Sequence, residues 1–176
     1  MRRRTKAAVV ALSGVLGALA LICLFLGGAI PVASLSCPVL ASIALIPVYL
    51  ECGVRAGSLW YVAVGILGLL LAPMKECGIL FVAFGAYPML RKPIGRLPLP
   101  RIWKLLYFNG VLLGAYSLML FVFPIPELRG EFAELGRWML GAMVVLANIS
   151  FFIYDMLVAR LEIIYIVKIR PKLKFL

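Results

Sequence analysis

The sequence predicts an all-α integral membrane protein, a bundle of six transmembrane helices with its N- and C-termini cytoplasmic. Three observations predict it. Of the 176 residues, 65% are apolar and the mean hydropathy is +1.11, whereas roughly half the residues of a soluble domain are apolar. A surface that faces lipid must itself be apolar, which accounts for the excess. Long stretches carry no charge: Ala7 to Leu50 is 44 residues and Ala56 to Met74 is 19, against the ~20 residues that cross a hydrocarbon core. Finally, with the N-terminus inside and six spans, fifteen of the eighteen Lys and Arg residues fall on inner segments. Only Lys75, Arg129 and Arg137 fall outside, the asymmetry expected when basic flanks are retained at the cytosol.

The chain is organised around Arg91 to Lys104, RKPIGRLPLPRIWK, which holds five Lys/Arg, three prolines and no acid. It reads as a cytoplasmic loop. Before it, the basic start MRRRTK leads into helix 1, about 7–29. Gly27-Gly28 and Pro31 break the long apolar run, and helix 2 follows at about 34–51. Helix 1 is too long an apolar run for a signal peptide. The turn ECGVR (Glu51 to Arg55) precedes helix 3, about 56–74. Cys77 to Leu90 is only 14 apolar residues, so helix 4 must begin near Lys75 and is placed at about 75–91. Helix 5 covers about 104–126. The polar segment ELRGEFAELGR comes next, then helix 6 at about 135–160, running on into a basic amphipathic tail from Ile163 to Leu176. No repeat or linker divides the chain, so residues 1–176 are one six-helix domain.

Composition excludes several functions. The net charge of +11 sits at span ends, where it meets anionic membrane lipids, so nucleic acid is not expected as a partner. There is no histidine, hence no usual metal ligand or neutral-pH general base. Cys23, Cys37, Cys52 and Cys77 show no paired spacing; Cys37 and Cys77 share the predicted outer side, but small apolar filling is the reading taken. No glycine-rich phosphate loop and no Ser/His/Asp set is present. No catalysis, metal or cofactor is therefore expected.

Three constellations remain. Ala7, Ala11, Gly14 and Ala18 lie on one face of helix 1. Small residues let another helix approach closely, either inside the bundle or on a separate membrane subunit. Asn148, Asp155 and Glu162 form one stripe on helix 6, and polar groups at such depth face protein or water. They serve either helix packing and ion pairing with the basic loop, or a site; Asn109 on helix 5 is a candidate partner. On the outer side lie Ser34, Ser36, Lys75, Glu76, Glu131, Glu134, Arg137 and Trp138. They are either solvated turns with snorkelling ends or a polar mouth for a small polar or zwitterionic solute, with Trp138 as its aromatic wall. Trp60, Tyr61, Trp103 and Tyr107 read as interfacial anchors.

The size, the basic opening RRRTKAAVVALSGVLGALA, Pro31 after helix 1 and the stretch IPVYLECGVRAGSLWYVAVGILGLLL together resemble the substrate-binding S components of energy-coupling factor (ECF) vitamin transporters. The sharpest shared motif is the A-x-x-x-A of helix 1, here Ala7 and Ala11. The resemblance implies that this face docks on a transmembrane coupling subunit driven by two ATPase subunits. It also implies a vitamin site on the outer side, built from later helices and covered by the loop Ile30 to Ser36. The expected function is thus capture of a small vitamin-like nutrient at a multi-pass cell membrane, of bacterial or archaeal type. Ser34, Ser36, Lys75, Glu76, Trp138 and Asn148 are the substrate-binding candidates, and Ala7, Ala11, Gly14 and Ala18 the partner interface. The alternative is a non-transporting structural or assembly subunit of a membrane complex.

Overall fold

The computed structural model of the chain describes residues 6–30, 33–121 and 137–172. Helix α1 (Lys6–Ala29) runs 24 residues, ~36 Å at 1.5 Å per residue. Its end is set by the glycine pair. A Cβ on Gly27 would lie 2.6 Å from Cβ of Cys37, and one on Gly28 would lie 2.8 Å from the backbone nitrogen of Met74. Only residues without side chains let α1 close against both the following helix and the turn near Met74.

The stretch expected as one helix over 34–51 is two: α2 (Ser36–Ile43) and α3 (Leu45–Cys52), meeting at Ala44. Pro47 has no N–H for the Ile43 carbonyl, and its ring crowds that oxygen, so the helix bends there. Gly53, with φ of 87°, turns the chain from α3 into α4 (Val54–Leu71). That left-handed conformation is open to glycine at little steric cost. At the far end of α4, Lys75 Nζ donates to the carbonyls of Leu69 at 2.9 Å and Leu70 at 3.3 Å. A cation there satisfies exposed carbonyls at the negative end of the helix dipole.

The expected helix over 75–91 is also broken, into α5 (Lys75–Phe84) and α6 (Tyr87–Gly95). Pro88 cannot donate to the Phe84 carbonyl; the Tyr154 hydroxyl instead reaches that oxygen at 3.4 Å. Helix α7 (Pro100–Phe121) opens on proline, whose missing N–H is not needed in a first turn. Most of Arg91 to Lys104 is therefore helical rather than loop, with residues 96–99 alone lying between α6 and α7. Helix α8 (Arg137–Ile164) is 28 residues long and continues as a π turn (Tyr165–Ile169) and a 3-10 turn (Arg170–Lys172). The later part of the expected helix 5 and the segment ELRGEFAELGR up to residue 136, with Glu131 and Glu134, lie outside the described residues.

The described residues are all-helical, with no strand among them. Three helical segments among them are long and apolar enough to cross a membrane: Val9–Ala29, Val54–Leu71 and Gly141–Ile169. One buried cluster draws on all eight of the α-helices described, from Leu24 of α1 through Leu45, Val48 and Phe81 to Tyr87, Phe108 and Val158. Around it, large apolar side chains such as Leu59, Leu70, Leu113 and Ile153 point outward, the inverse of a soluble surface. Trp60 was expected as an interfacial anchor. It is buried, and its indole N–H donates to the Ser13 carbonyl of α1 at 2.9 Å. Its polar end is satisfied inside the bundle, so it needs no headgroup.

Candidate functional site

Four helices line a half-open cavity of about 350 Å³. The start of α2 contributes Pro38 and Val39, preceded by Leu35 of the expected lid; α5 contributes Leu80 and Phe84. From α7 come Phe108, Leu112 and Tyr116, and from α8 come Met143, Ala147, Ser150, Phe151 and Tyr154 among others. Its size falls at the lower end of the roughly 300–1,000 Å³ typical of small-molecule sites. One wall is an aromatic stack: Phe84 and Phe108 have centroids 5.5 Å apart, and Phe108 and Phe151 lie 4.4 Å apart and nearly parallel. Such offset ring pairs are preferred arrangements and hold each other in place.

Next to that wall, and nearer the α6–α7 turn, sits a charged cluster. Asp155 of α8 accepts three hydrogen bonds: from Tyr87 Oη at 2.7 Å, Arg91 Nε at 2.7 Å and Lys104 Nζ at 2.6 Å. Two helical turns on, Glu162 accepts from the Tyr49 hydroxyl. It also has Arg91 at 3.7 Å and Lys92 at 3.8 Å, and the Lys92 ammonium lies 5.4 Å from the Tyr49 ring centroid. Lys104 and Asp155 side chains are each 16% exposed. A carboxylate in that setting is stable only when paired and hydrogen-bonded. The cluster thereby ties α6, α7 and α8 together at one level, with α3 attached through Tyr49. Beyond it, Arg170 Nε pairs with Glu51 of α3 at 3.2 Å.

The predicted site residues are not brought together. Trp138 is 94% exposed and is not among the residues that line this cavity. Lys75 closes the end of α4 through the Leu69 and Leu70 carbonyls. Glu76 sits in the first turn of α5, where a carboxylate complements the helix dipole. Ser34 lies in the turn before α2 and its carbonyl accepts from Cys77 Sγ at 3.5 Å; Ser36 begins α2 and is exposed. Ser34, Ser36, Lys75, Glu76 and Trp138 all fall outside the cavity lining. So does Asn148. Its amide donates to Val144 O at 2.8 Å and Asn109 Oδ1 at 3.2 Å, while the Asn109 amide donates to Leu105 O at 2.9 Å and Asn148 Oδ1 at 3.0 Å. All four amide hydrogens are used between α7 and α8. The pair is a helix clasp, with no donor left for a solute.

Sequence reasoning missed the cavity's aromatic and aliphatic residues. Lipid-facing and cavity-facing side chains have the same polarity here, so periodicity does not separate them. The available signal was Phe151 and Tyr154, spaced so as to share the helix face that carries Asn148 and Asp155, with Phe108 beside Asn109 on the preceding helix.

Ala7, Ala11, Gly14 and Ala18 are all exposed, and a Cβ on Gly14 would meet nothing within 4 Å. The small-residue face is thus on the outside of the bundle, not packed within it. All four cysteines are free. Among the described residues no group of three or more His, Cys, Asp or Glu could hold a metal ion.

No protein-family model matches the chain, no curated protein matches it, and no solved structure matches it.

Proposed function

We propose that the chain crosses the membrane six times with both ends in the cytoplasm and captures a small vitamin-like nutrient, as the S component of an ECF-type transporter powered by ATPases on other chains. In this reading α2–α3 and α5–α6 are single spans broken at prolines, and α7 and α8 are the fifth and sixth. The observation that carries it is the cavity of about 350 Å³ between α2, α5, α7 and α8. Its lining reaches the turn before α2, away from the basic α6–α7 turn, so an outer solute has a place to rest. The exposed face of Ala7, Ala11, Gly14 and Ala18 supports the second half of the reading, since close approach of a second helix needs small side chains.

That same face suits a structural subunit with no solute of its own, and two substitutions separate the readings. Ala11→Trp enlarges the docking face; Ala147→Trp fills the cavity. Capture predicts that a tagged chain co-purifies with one membrane subunit and two ATPases. It also predicts that Ala11→Trp abolishes this, and that Ala147→Trp stops uptake with the complex intact. If only Ala11→Trp has an effect, the structural reading replaces capture. If no ATPases co-purify from native membranes, the transporter reading fails.

A further inference from the structure

The chemistry of the cavity wall defines its occupant. Among the described residues no Lys, Arg, Asp or Glu lines it, and the polar side chains that do are Ser150, Tyr154 and Tyr116. The Ser150 hydroxyl donates to Leu146 O at 3.0 Å. Tyr154 has one hydrogen and two protein acceptors for it, Ser42 Oγ at 2.8 Å and Phe84 O at 3.4 Å. The hydrogens of Ser150 and Tyr154 are therefore committed to protein atoms, and what these two hydroxyls present to an occupant is lone pairs. A carboxylate or phosphate would enter with no cation and no donor from these two, and an ammonium with two acceptors but no anion, so neither charge would recover its hydration. The nearest acid, Asp155, is held by Tyr87, Arg91 and Lys104.

Resting on the reading of this cavity as the capture site, we propose that its substrate is a neutral ring compound of one or two rings with a single donating hydroxyl or N–H. This replaces the polar or zwitterionic solute expected from the outer loops. Phe84, Phe108 and Phe151 supply ring faces for stacking; Ser150 and Tyr154 accept the one donor. A phospholipid is disfavoured because no cation among the described residues stands at the wall for its phosphate.

The test uses the full chain in zwitterionic-lipid nanodiscs, titrated with 2-naphthol and with 2-naphthoate as its charged counterpart. Wild type is expected to bind 2-naphthol saturably at one site and at least about tenfold more tightly than 2-naphthoate. Ala147→Trp and Met143→Trp, each verified as helical and monodisperse, are expected to weaken 2-naphthol at least about tenfold; Met143 lies at the half-exposed side, so its replacement spares the core. Equal or reversed preference between the probes overturns the proposal. So does 2-naphthol binding unchanged in either variant, or a phospholipid that native mass spectrometry finds on wild type and not on Ala147→Trp. Probe binding without ATPase co-purification would reject the transporter while leaving the cavity chemistry standing; co-purification with a preference for 2-naphthoate would do the reverse.

Discussion

Tyr87 hydrogen-bonds Asp155 at 2.7 Å while its ring meets Phe151 edge-on, 5.0 Å between centroids. One buried side chain thus touches both the charged cluster and the cavity wall. Tyr87→Phe keeps the ring and removes the hydroxyl, so it should cost about 1 kcal/mol. Asp155→Asn leaves Arg91 and Lys104 without their carboxylate and should cost about 3 kcal/mol, as when one partner of a buried pair is removed. Reversible unfolding in mixed micelles measures both; equal losses would show that the charge is not what binds α6 and α7 to α8.

The Asn109–Asn148 pair should behave as a clasp. Asn148→Leu should cost on the order of 1 kcal/mol, typical of hydrogen bonds between membrane helices. The double change Asn109→Leu with Asn148→Leu should recover part of it, since no amide is then left unpaired. Additive losses in the double-mutant cycle would mean the two amides do not interact. Neither change should weaken 2-naphthol binding by more than about twofold, because neither residue lines the cavity.

Gly28 and Gly14 sit on the same helix and should respond oppositely. Gly28→Val drives a side chain into the backbone at Met74, 2.8 Å from its Cβ, and should cost more than about 2 kcal/mol as an overpacked contact. A Cβ on Gly14 meets nothing within 4 Å, so Gly14→Val should leave the isolated chain's melting within about 2 °C, given that exposed substitutions are small in effect. Its effect, on the proposed reading, is on co-purification with a coupling subunit.

Lys75→Ala should lower thermal stability slightly, by removing the closure of α4, and leave probe binding unchanged. A loss of binding without a loss of stability would restore Lys75 to the solute site.

Much of the helical order was legible. The expected first helix at 7–29 matches α1, because a charge-free run ended by two glycines is a strong signal. The breaks at Ala44 and at Gly85–Ala86 were readable in principle from Pro47 and Pro88, but apolar continuity hid them. The site was less legible, for a physical reason. Polarity singles out Lys75, Glu76 and Trp138, whereas Lys75 caps α4, Asn109 and Asn148 clasp α7 to α8, and Asp155 pairs with Arg91 and Lys104. The cavity is made of phenylalanine, leucine and tyrosine, chemically the same as the surface that meets lipid. Asp155 and Glu162 were singled out correctly as lying within reach of basic residues, since a carboxylate in an apolar helix demands a cation nearby.

The central claim is the six-span arrangement with cationic turns at the cytosol, and the turn between α6 and α7 tests it most directly. Arg96, exposed in that turn, is replaced by cysteine in a chain whose four native cysteines are alanine. Intact cells are then treated with a membrane-impermeant maleimide. The account predicts that Arg96→Cys is labelled only after the membrane is opened; labelling in intact cells would place the basic turn outside and contradict the arrangement.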